Sequence, residues 1–207
     1  IERYMEIFLG VRFLASEHPT GERHGGRIDT LGIDENGCPV IVEYKRAVNE
    51  NVINQGLFYL DWLMDHKAEF QLMVMEKYGK EEAGQIEWSS PRLICIAGDY
   101  TRYDEHAVQQ INRNIELVRY RKYEEKFLLL ELVNAVVANG STEGIEKITG
   151  GQKQTQKTVS ELFMTAPDDL RNRFETLKSF LMALGDDIQM KPLKFYFAFK
   201  RIKNFAC

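Results

Sequence analysis

Two apolar-rich runs around an Asn-Gly pair constrain the fold of this chain more than any other stretch. Residues 26–34 read Gly-Arg-Ile-Asp-Thr-Leu-Gly-Ile-Asp, residues 35–37 read Glu-Asn-Gly, and residues 38–45 read Cys-Pro-Val-Ile-Val-Glu-Tyr-Lys. Runs of this kind on either side of Asn-Gly predict a β-hairpin. Because side chains alternate along a strand, Glu43 and Lys45 point to one face, and Asp29 lies on the partner strand. Such a group of two acids and a base can hold a divalent metal beside a lysine.

Length and composition limit the number of domains and the classes of function that the chain can have. The 207 residues suffice for one full domain and a small second one, and the 44% hydrophobic content suffices for a core. A net charge of −4 argues against a generally basic nucleic-acid binder, although local basic patches remain possible. Three cysteines without a CxxC pair indicate a reducing compartment, so we expect a cytoplasmic protein. We find no signal peptide or membrane-span pattern, and expect residues to be missing before Ile1.

The remaining patterns predict an α/β domain over residues 1–138, with a mixed central β-sheet flanked by helices. Helical spacing is found at 1–9, 51–65, 66–78 and 104–112, and β-like runs at 11–17, 92–97, 115–120 and 127–133. The stretches 18–25 and 79–90 are interpreted as loops. His24 is taken as a loop residue, because no partner with metal-ligand spacing is visible nearby.

Residues 139–157 are rich in Gly, Ser, Thr, Gln and Lys and predict a linker or mobile loop. Residues 158–207 form a small C-terminal α+β segment, which we expect to be incomplete because the chain stops just after it. Its stretch 191–205 mixes basic and aromatic residues, which could bind nucleic acid by charge and stacking. The plainer alternative is a strand pair with an aromatic core face and a basic outer face.

Three parts of the sequence together resemble the PD-(D/E)XK nuclease superfamily, within it the RecB-like group and the catalytic domain of NucS-like endonucleases. They are Gly26-Arg27-Ile28-Asp29, then Val42-Glu43-Tyr44-Lys45, then Gln55-Gly56-Leu57-Phe58-Tyr59. The resemblance covers residues 1–135 and implies a restriction-endonuclease-like fold. The sequence departs from the pattern at Ile28, where the superfamily's name has Pro. The DNA-binding domain that precedes the catalytic domain in NucS-like enzymes is not in this chain, which leaves any preference for mismatched or branched DNA open.

The resemblance implies a Mg²⁺-dependent deoxyribonuclease, with Mn²⁺ as a substitute. Asp29 and Glu43 are then the carboxylate ligands of the metal, and the carbonyl of Tyr44 adds a third oxygen. Lys45 positions or deprotonates the attacking water, or neutralises the transition state.

Five further residues are candidates for supporting roles in the site that the resemblance implies. Gln55 and Tyr59, one helical turn apart, orient Lys45, a water or the DNA backbone. Glu2 helps to hold water near the metal, with Glu17 as an alternative for the same task. Arg27 contacts phosphate or forms a surface salt bridge.

Three functions are therefore weighed. The first is a metal-dependent endonuclease or exonuclease acting on DNA in repair or defence. The second is a non-catalytic nucleic-acid-binding module that retains the nuclease fold, and the third is a protein–protein scaffold that uses the C-terminal segment. A buried Asp–Lys–Glu ion network is the structural alternative for the central trio, at a desolvation cost on the order of several kcal/mol per ion. A homodimer and a protein partner for the C-terminal segment remain open, and no membrane partner is expected.

Overall fold

The computed structural model describes residues 1–46, 52–124, 126–136, 138, 158–193 and 195–207. The chain divides into two compact units, Ile1–Ala138 and Asn139–Cys207. The stretch 139–157, for which the sequence predicts a linker or mobile loop, lies outside the described residues. Within the part of the chain that the structure describes, no helix is both long enough and apolar enough to cross a bilayer.

The first unit alternates helices with strands, as the sequence predicts. After a short 3₁₀ turn at Glu2–Tyr4, its elements are α1 (Met5–Leu9), β1 (Val11–Pro19), α2 (Gly21–His24), β2 (Arg27–Asp34), β3 (Pro39–Lys45), α3 (Val52–Asp65), α4 (Lys67–Tyr78), α5 (Lys80–Gly84), β4 (Arg92–Ala97), α6 (Arg102–Gln109), β5 (Asn114–Tyr123) and β6 (Phe127–Val136).

The six strands in the described part of this unit form one sheet, in the order of the sequence. Strands β1, β2 and β3 pair antiparallel, strands β3, β4 and β5 pair parallel, and β6 returns antiparallel to β5. The two parallel pairings need crossover connections, and helices α3 to α5 and α6 lie in those connections. The predicted α/β class with a mixed sheet is therefore confirmed.

One face of the sheet packs against α3 and α4. Ile41, Leu93 and Leu117 of the strands belong to the same buried cluster as Leu63 of α3 and Phe70 of α4. Gly56 allows α3 to approach the sheet closely. A Cβ atom at this position would lie 2.5 Å from a methyl carbon of Leu93.

Two predicted loops contain short helices instead. The first predicted loop begins inside β1 and then contains α2. Thr20, which precedes α2, joins the two ends of this segment, because its Oγ1 accepts a hydrogen bond from the Gly26 N–H at 2.9 Å. The second contains α5, which is anchored by the buried Ala83, and the Gln71 side chain of α4 donates to the Ala83 carbonyl. Both helices are four or five residues long, too short for hydrophobic periodicity to reveal them.

The second unit is a small α+β segment, as predicted. It contains α7 (Val159–Met164), α8 (Asp168–Met182), β7 (Gln189–Pro192), β8 (Phe197–Lys200) and β9 (Asn204–Ala206). The three strands pair antiparallel. Phe163, Phe174 and Phe197 join the two helices to β8, with ring centroids 4.7 to 5.8 Å apart.

The predicted basic outer face of this segment is wrong at two positions. Lys191 opposes Ala198 in the β7–β8 pairing, so Lys191 and Lys200 share a face, yet both are buried. Phe195 is about half exposed, because it precedes β8 and strand alternation does not govern it. Lys194 of the same stretch lies outside the described residues.

Candidate active site

Two carboxylates replace backbone pairing where β2 and β3 separate. The regular register joins Thr30 to Val42 and runs from there toward the hairpin turn. In the other direction, the backbone N–H of Asp29 donates to Glu43 Oε1 at 3.2 Å. The backbone N–H of Tyr44 donates to Asp29 Oδ2 at 2.8 Å. The side chains of Asp29 and Glu43 are therefore held together between the ends of the two strands.

Glu43 and Lys45 lie on the same face of the sheet, and the two hydrogen bonds above bring Asp29 beside Glu43. Glu43 and Lys45 follow Ile41 at intervals of two, and Leu31 lies opposite Ile41 in the register. Ile41 and Leu31 both belong to the core beneath α3, so that face is the α3 side of the sheet. The positive charge of Lys45 acts on Glu43 and favours its ionised form. The shared face predicted for Glu43 and Lys45 is confirmed.

Glu43 is in a very unfavourable place for a carboxylate. It is 0% exposed, and the buried Cys95 lies opposite it on β4. Burial, followed by the charge of Asp29, raises the pKa of Glu43 to about 8, although the Asp29 N–H and Lys45 oppose the shift. Among the described residues, Glu43 Oε2 is buried without any hydrogen-bond partner. Buried polar atoms rarely lack a hydrogen-bond partner, so the second oxygen of Glu43 is a candidate ligand atom for a cation.

Gln55 and Tyr59 meet on the surface of α3 and contact the start of β2. Gln55 Nε2 donates to the Tyr59 hydroxyl oxygen at 3.1 Å. The backbone N–H of Arg27 donates to the same oxygen at 3.1 Å. Gly26 permits this approach, since a Cβ atom there would lie 2.6 Å from the Tyr59 hydroxyl. The pair therefore fixes the strand residues that lead directly into Asp29.

Glu2 approaches the sheet from the opposite face. Its Oε1 accepts hydrogen bonds from Thr30 Oγ1 at 2.6 Å and from Ser16 Oγ at 2.8 Å. Thr30 pairs with Val42, so its side chain lies on the face of the sheet opposite to Glu43 and Lys45. The structure thus divides the predicted site residues between the two sides of the sheet, and a role for Glu2 at the metal stays a prediction.

The side chain of Tyr44 lies on the same side as Glu2. The hydroxyl groups of Thr30 and Tyr44 form a long hydrogen bond at 3.4 Å, in which Thr30 Oγ1 accepts while its own hydrogen goes to Glu2. Burial, reinforced by the charge of Glu2, raises the pKa of Tyr44 to about 12. An open cavity of about 460 Å³ is lined by Ile1, Glu2, Arg3 and Tyr44. The backbone of Tyr44, and not its phenol, forms the hydrogen bond with Asp29.

Arg27 and Glu17 form an ion pair on the surface. Of the two roles weighed for Arg27, the structure shows the salt bridge. The charge of Glu17 contributes slightly to the raised pKa of Glu43. Sequence patterns gave no sign of the hydroxyl groups of Ser16 and Thr30 as partners of Glu2, although Thr30 stands next to Asp29.

Arg92, Asp34 and Glu116 form a second group of buried charges, which serves as a comparison because it is a structural ion network. Arg92 Nη1 donates to Asp34 Oδ2 at 2.8 Å, and its Nε and Nη2 donate to the two carboxylate oxygens of Glu116 at 2.9 Å each. Asp34 Oδ1 also accepts from the backbone N–H groups of Asn36 and Cys38. Here the donors match the acceptors, whereas Glu43 keeps an oxygen without a partner among the described residues.

Comparison with known proteins gives distant similarities. No protein-family model matches the chain. A protein of Haemophilus influenzae (strain ATCC 51907 / DSM 11121 / KW20 / Rd), described as an uncharacterized protein, is 25% identical over 215 residues, covering 99% of this chain and 69% of the relative.

Two solved structures are also similar in part. One is a repair endonuclease from Pyrococcus abyssi, with 22% identity, a TM-score of 0.36 and coverage of 56% of this chain and 44% of that chain. The other is an EndoMS–dsDNA2 complex, with 20% identity, a TM-score of 0.33 and coverage of 59% and 43%. The chain thus spans less than half the length of either one. The superfamily membership suggested by the sequence motifs stays a prediction.

Proposed function

We propose that this protein is a metal-dependent nuclease that hydrolyses phosphodiester bonds of DNA, with Asp29, Glu43 and Lys45 as its central residues. The observation that carries the proposal is the buried second oxygen of Glu43, which lacks a partner among the described residues and lies beside the Asp29 carboxylate. DNA is the substrate class that the sequence resemblance implies, and a role in repair or defence is part of the same proposal.

The residues present fit a hard divalent cation. Asp29 and Glu43 offer carboxylate oxygens, which are the donors that Mg²⁺ and Mn²⁺ prefer. A cation between them would remove the repulsion that Asp29 exerts on ionised Glu43 and would compensate its loss of solvation. The carbonyl of Tyr44 is the third candidate ligand. When bound, Mg²⁺ lowers the pKa of a coordinated water and neutralises charge on a phosphate oxygen.

The protein's own groups then have separate tasks. Lys45, on the face of Glu43, positions the attacking water, takes its proton or offsets the charge that develops on the phosphate. Gln55 and Tyr59 are positioning residues, because their hydrogen bonds hold the backbone at Arg27, two residues before Asp29. Hydrolysis joins the water oxygen to phosphorus and breaks one P–O ester bond, leaving a hydroxyl end and a phosphate monoester end.

A cleavage assay tests this proposal. Plasmid and oligonucleotide DNA are incubated with Mg²⁺ or Mn²⁺ and with wild type, Asp29→Asn, Glu43→Gln or Lys45→Met. The matched controls are Glu76→Gln and Lys80→Met, which change exposed side chains. We expect each site variant to lose at least a hundredfold in rate and the controls to retain the wild-type rate. Cleavage that survives all three site substitutions would remove the hydrolase proposal.

A non-catalytic nucleic-acid-binding module is the second candidate. The observation in its favour is the pKa of about 8 for Glu43, because a protonated Glu43 at neutral pH needs no cation. That candidate predicts DNA binding without cleavage and a flat calorimetric Mg²⁺ titration.

A further inference from the structure

A second cluster of potential metal ligands joins α2 to α3. Ligand atoms of His24, Asp61 and Asp65 all lie within 4.8 Å of one another. His24 Nε2 is 3.9 Å from Asp61 Oδ2. Asp61 and Asp65 are four residues apart on α3, so they share a face of the helix. This corrects the interpretation of His24 as a loop residue without metal-ligand partners, because its partners are 37 and 41 positions away and invisible to local spacing.

The imidazole of His24 is buried and poorly satisfied. Its side chain is 4% exposed, and its Nε2 faces Asp61 across a gap too long for a hydrogen bond. Among the described residues, its buried Nδ1 also has no hydrogen-bond partner. The ring packs against Phe58, with centroids 4.9 Å apart, and so is held in place by an apolar contact. A buried imidazole that faces Asp61 beyond hydrogen-bond distance, and whose other nitrogen lacks a partner among the described residues, can accept a cation.

The side chain of His66 lies next to this cluster. Its ring centroid is 5.9 Å from that of His24, and its ring stacks on Trp62. His66 Nδ1 lies 2.8 Å from the Trp62 carbonyl oxygen. A carbonyl can only accept, so Nδ1 carries a proton and Nε2 is the ring nitrogen that can bind a metal. Metal-binding histidines are commonly oriented in this way.

We propose that His24, Asp61 and Asp65 bind a divalent transition-metal ion, with His66, whose ring centroid is 5.9 Å from that of His24, as a candidate additional ligand. An imidazole ligand together with carboxylates suits Zn²⁺, whereas Mg²⁺ and Ca²⁺ prefer oxygen ligands alone. Ligand atoms in a tetrahedral site with bonds of about 2.1 Å lie about 3.4 Å apart, so the cluster must contract slightly. Asp61 can do this at little cost, because its side chain is 74% exposed.

Such an ion would act as a clamp between α2 and α3. His24 precedes Gly26 by two residues, and Gly26 lies against the Tyr59 hydroxyl on α3. A bond from the metal to His24 therefore adds to the contacts that hold the start of β2. The site is independent of the proposed hydrolase activity, and its ligands differ from Asp29 and Glu43.

Calorimetric titration with Zn²⁺ tests the site in the full chain. Glu43→Gln is the background for every variant, so that the carboxylate pair at Asp29 and Glu43 does not contribute. We expect one equivalent of Zn²⁺ to bind, with the affinity reduced at least tenfold by Asp61→Asn or by His24→Gln. The matched control is His106→Gln, which changes an exposed histidine on α6 and should leave the affinity unchanged.

The melting temperature provides a second measurement. Zn²⁺ should raise it in the background protein and in His106→Gln, and much less in Asp61→Asn. If His24→Gln does not fold, Asp61→Asn decides the outcome, because that exposed side chain is not needed for folding. Equal Zn²⁺ affinity in Asp61→Asn and His106→Gln would overturn the proposal.

Discussion

The backbone N–H of Asp29 donates to the side chain of Glu43 at 3.2 Å, and this contact takes the place of a rung of the β2–β3 ladder. The strands separate at this point, and the gap between them is filled by carboxylate oxygens. One of those oxygens, Oε2 of Glu43, has no hydrogen-bond partner among the residues that the structure describes. Glu43 therefore affects both the stability of the fold and the proposed cation site.

Glu43 should make the metal-free protein less stable as the pH rises. In the unfolded chain Glu43 loses its proton near pH 4.5, but in the folded protein it keeps the proton up to about pH 8. The folded state therefore binds more protons across that window, so the free energy of unfolding falls with rising pH by about 1.4 kcal/mol per unit from this group. Below pH 4.5 the group contributes nothing, and above pH 8 the full penalty is present.

Urea denaturation in EDTA at pH 5 to 9 measures this effect. Glu43→Gln should gain stability over wild type by on the order of a few kcal/mol as the pH passes from 5 to 8. The exposed substitution Glu76→Gln should follow the wild-type curve. Parallel curves for wild type and Glu43→Gln would show that Glu43 has an ordinary pKa.

Gly26→Ala should disturb the contact between α3 and the start of β2. The new Cβ would lie 2.6 Å from the Tyr59 hydroxyl and 2.8 Å from a ring carbon, so the ring must move away from Arg27. We expect the melting temperature to fall by several degrees and cleavage to slow. Gly84→Ala is the control, because nothing lies within 4 Å of a Cβ there, and it should be neutral or slightly stabilising.

Tyr59→Phe in the Gly26→Ala background tests whether the steric clash with the Tyr59 hydroxyl causes the loss of stability. Removing the hydroxyl takes away the closest contact, so part of the lost stability should return. If the double variant is less stable than Gly26→Ala by the full cost of Tyr59→Phe alone, the steric explanation is wrong.

Arg92→Met should destabilise the first unit strongly. It leaves Asp34 and Glu116 buried without their guanidinium partner, which costs about 3–5 kcal/mol in comparable networks. Arg119→Met, which breaks the more exposed pairs with Asp99 and Glu131, should have a much smaller effect. Urea midpoints for the two variants provide the comparison, and equal losses would contradict the assignment of Arg92 to a buried structural network.

The sequence predicts those parts of the site that depend on local periodicity. The Asn-Gly turn fixes the hairpin, and alternation along β3 then puts Glu43 and Lys45 on one face. The four-residue spacing of Gln55 and Tyr59 similarly predicts their contact on α3.

The remaining features depend on contacts between distant parts of the chain. Glu2 is 28 positions from Thr30, and Tyr59 is 32 positions from Arg27, so no local pattern indicates either hydrogen bond. The unsatisfied state of Glu43 likewise follows from three-dimensional burial beneath α3. The buried face of β7 and β8 was missed for the same reason, because a basic strand pattern does not reveal what packs on it.

The most direct test of the account is a ¹³C NMR pH titration of the Glu43 side-chain carboxyl, with and without Mg²⁺. The resonance is assigned by its loss in Glu43→Gln. We predict a pKa near 8 in the metal-free protein, and a pKa lowered by more than one unit in saturating Mg²⁺, because a cation favours the ionised form. A metal-free pKa near 4.5 would contradict the burial effect on Glu43, and a value that Mg²⁺ leaves unchanged would contradict the claim that Asp29 and Glu43 form a cation site.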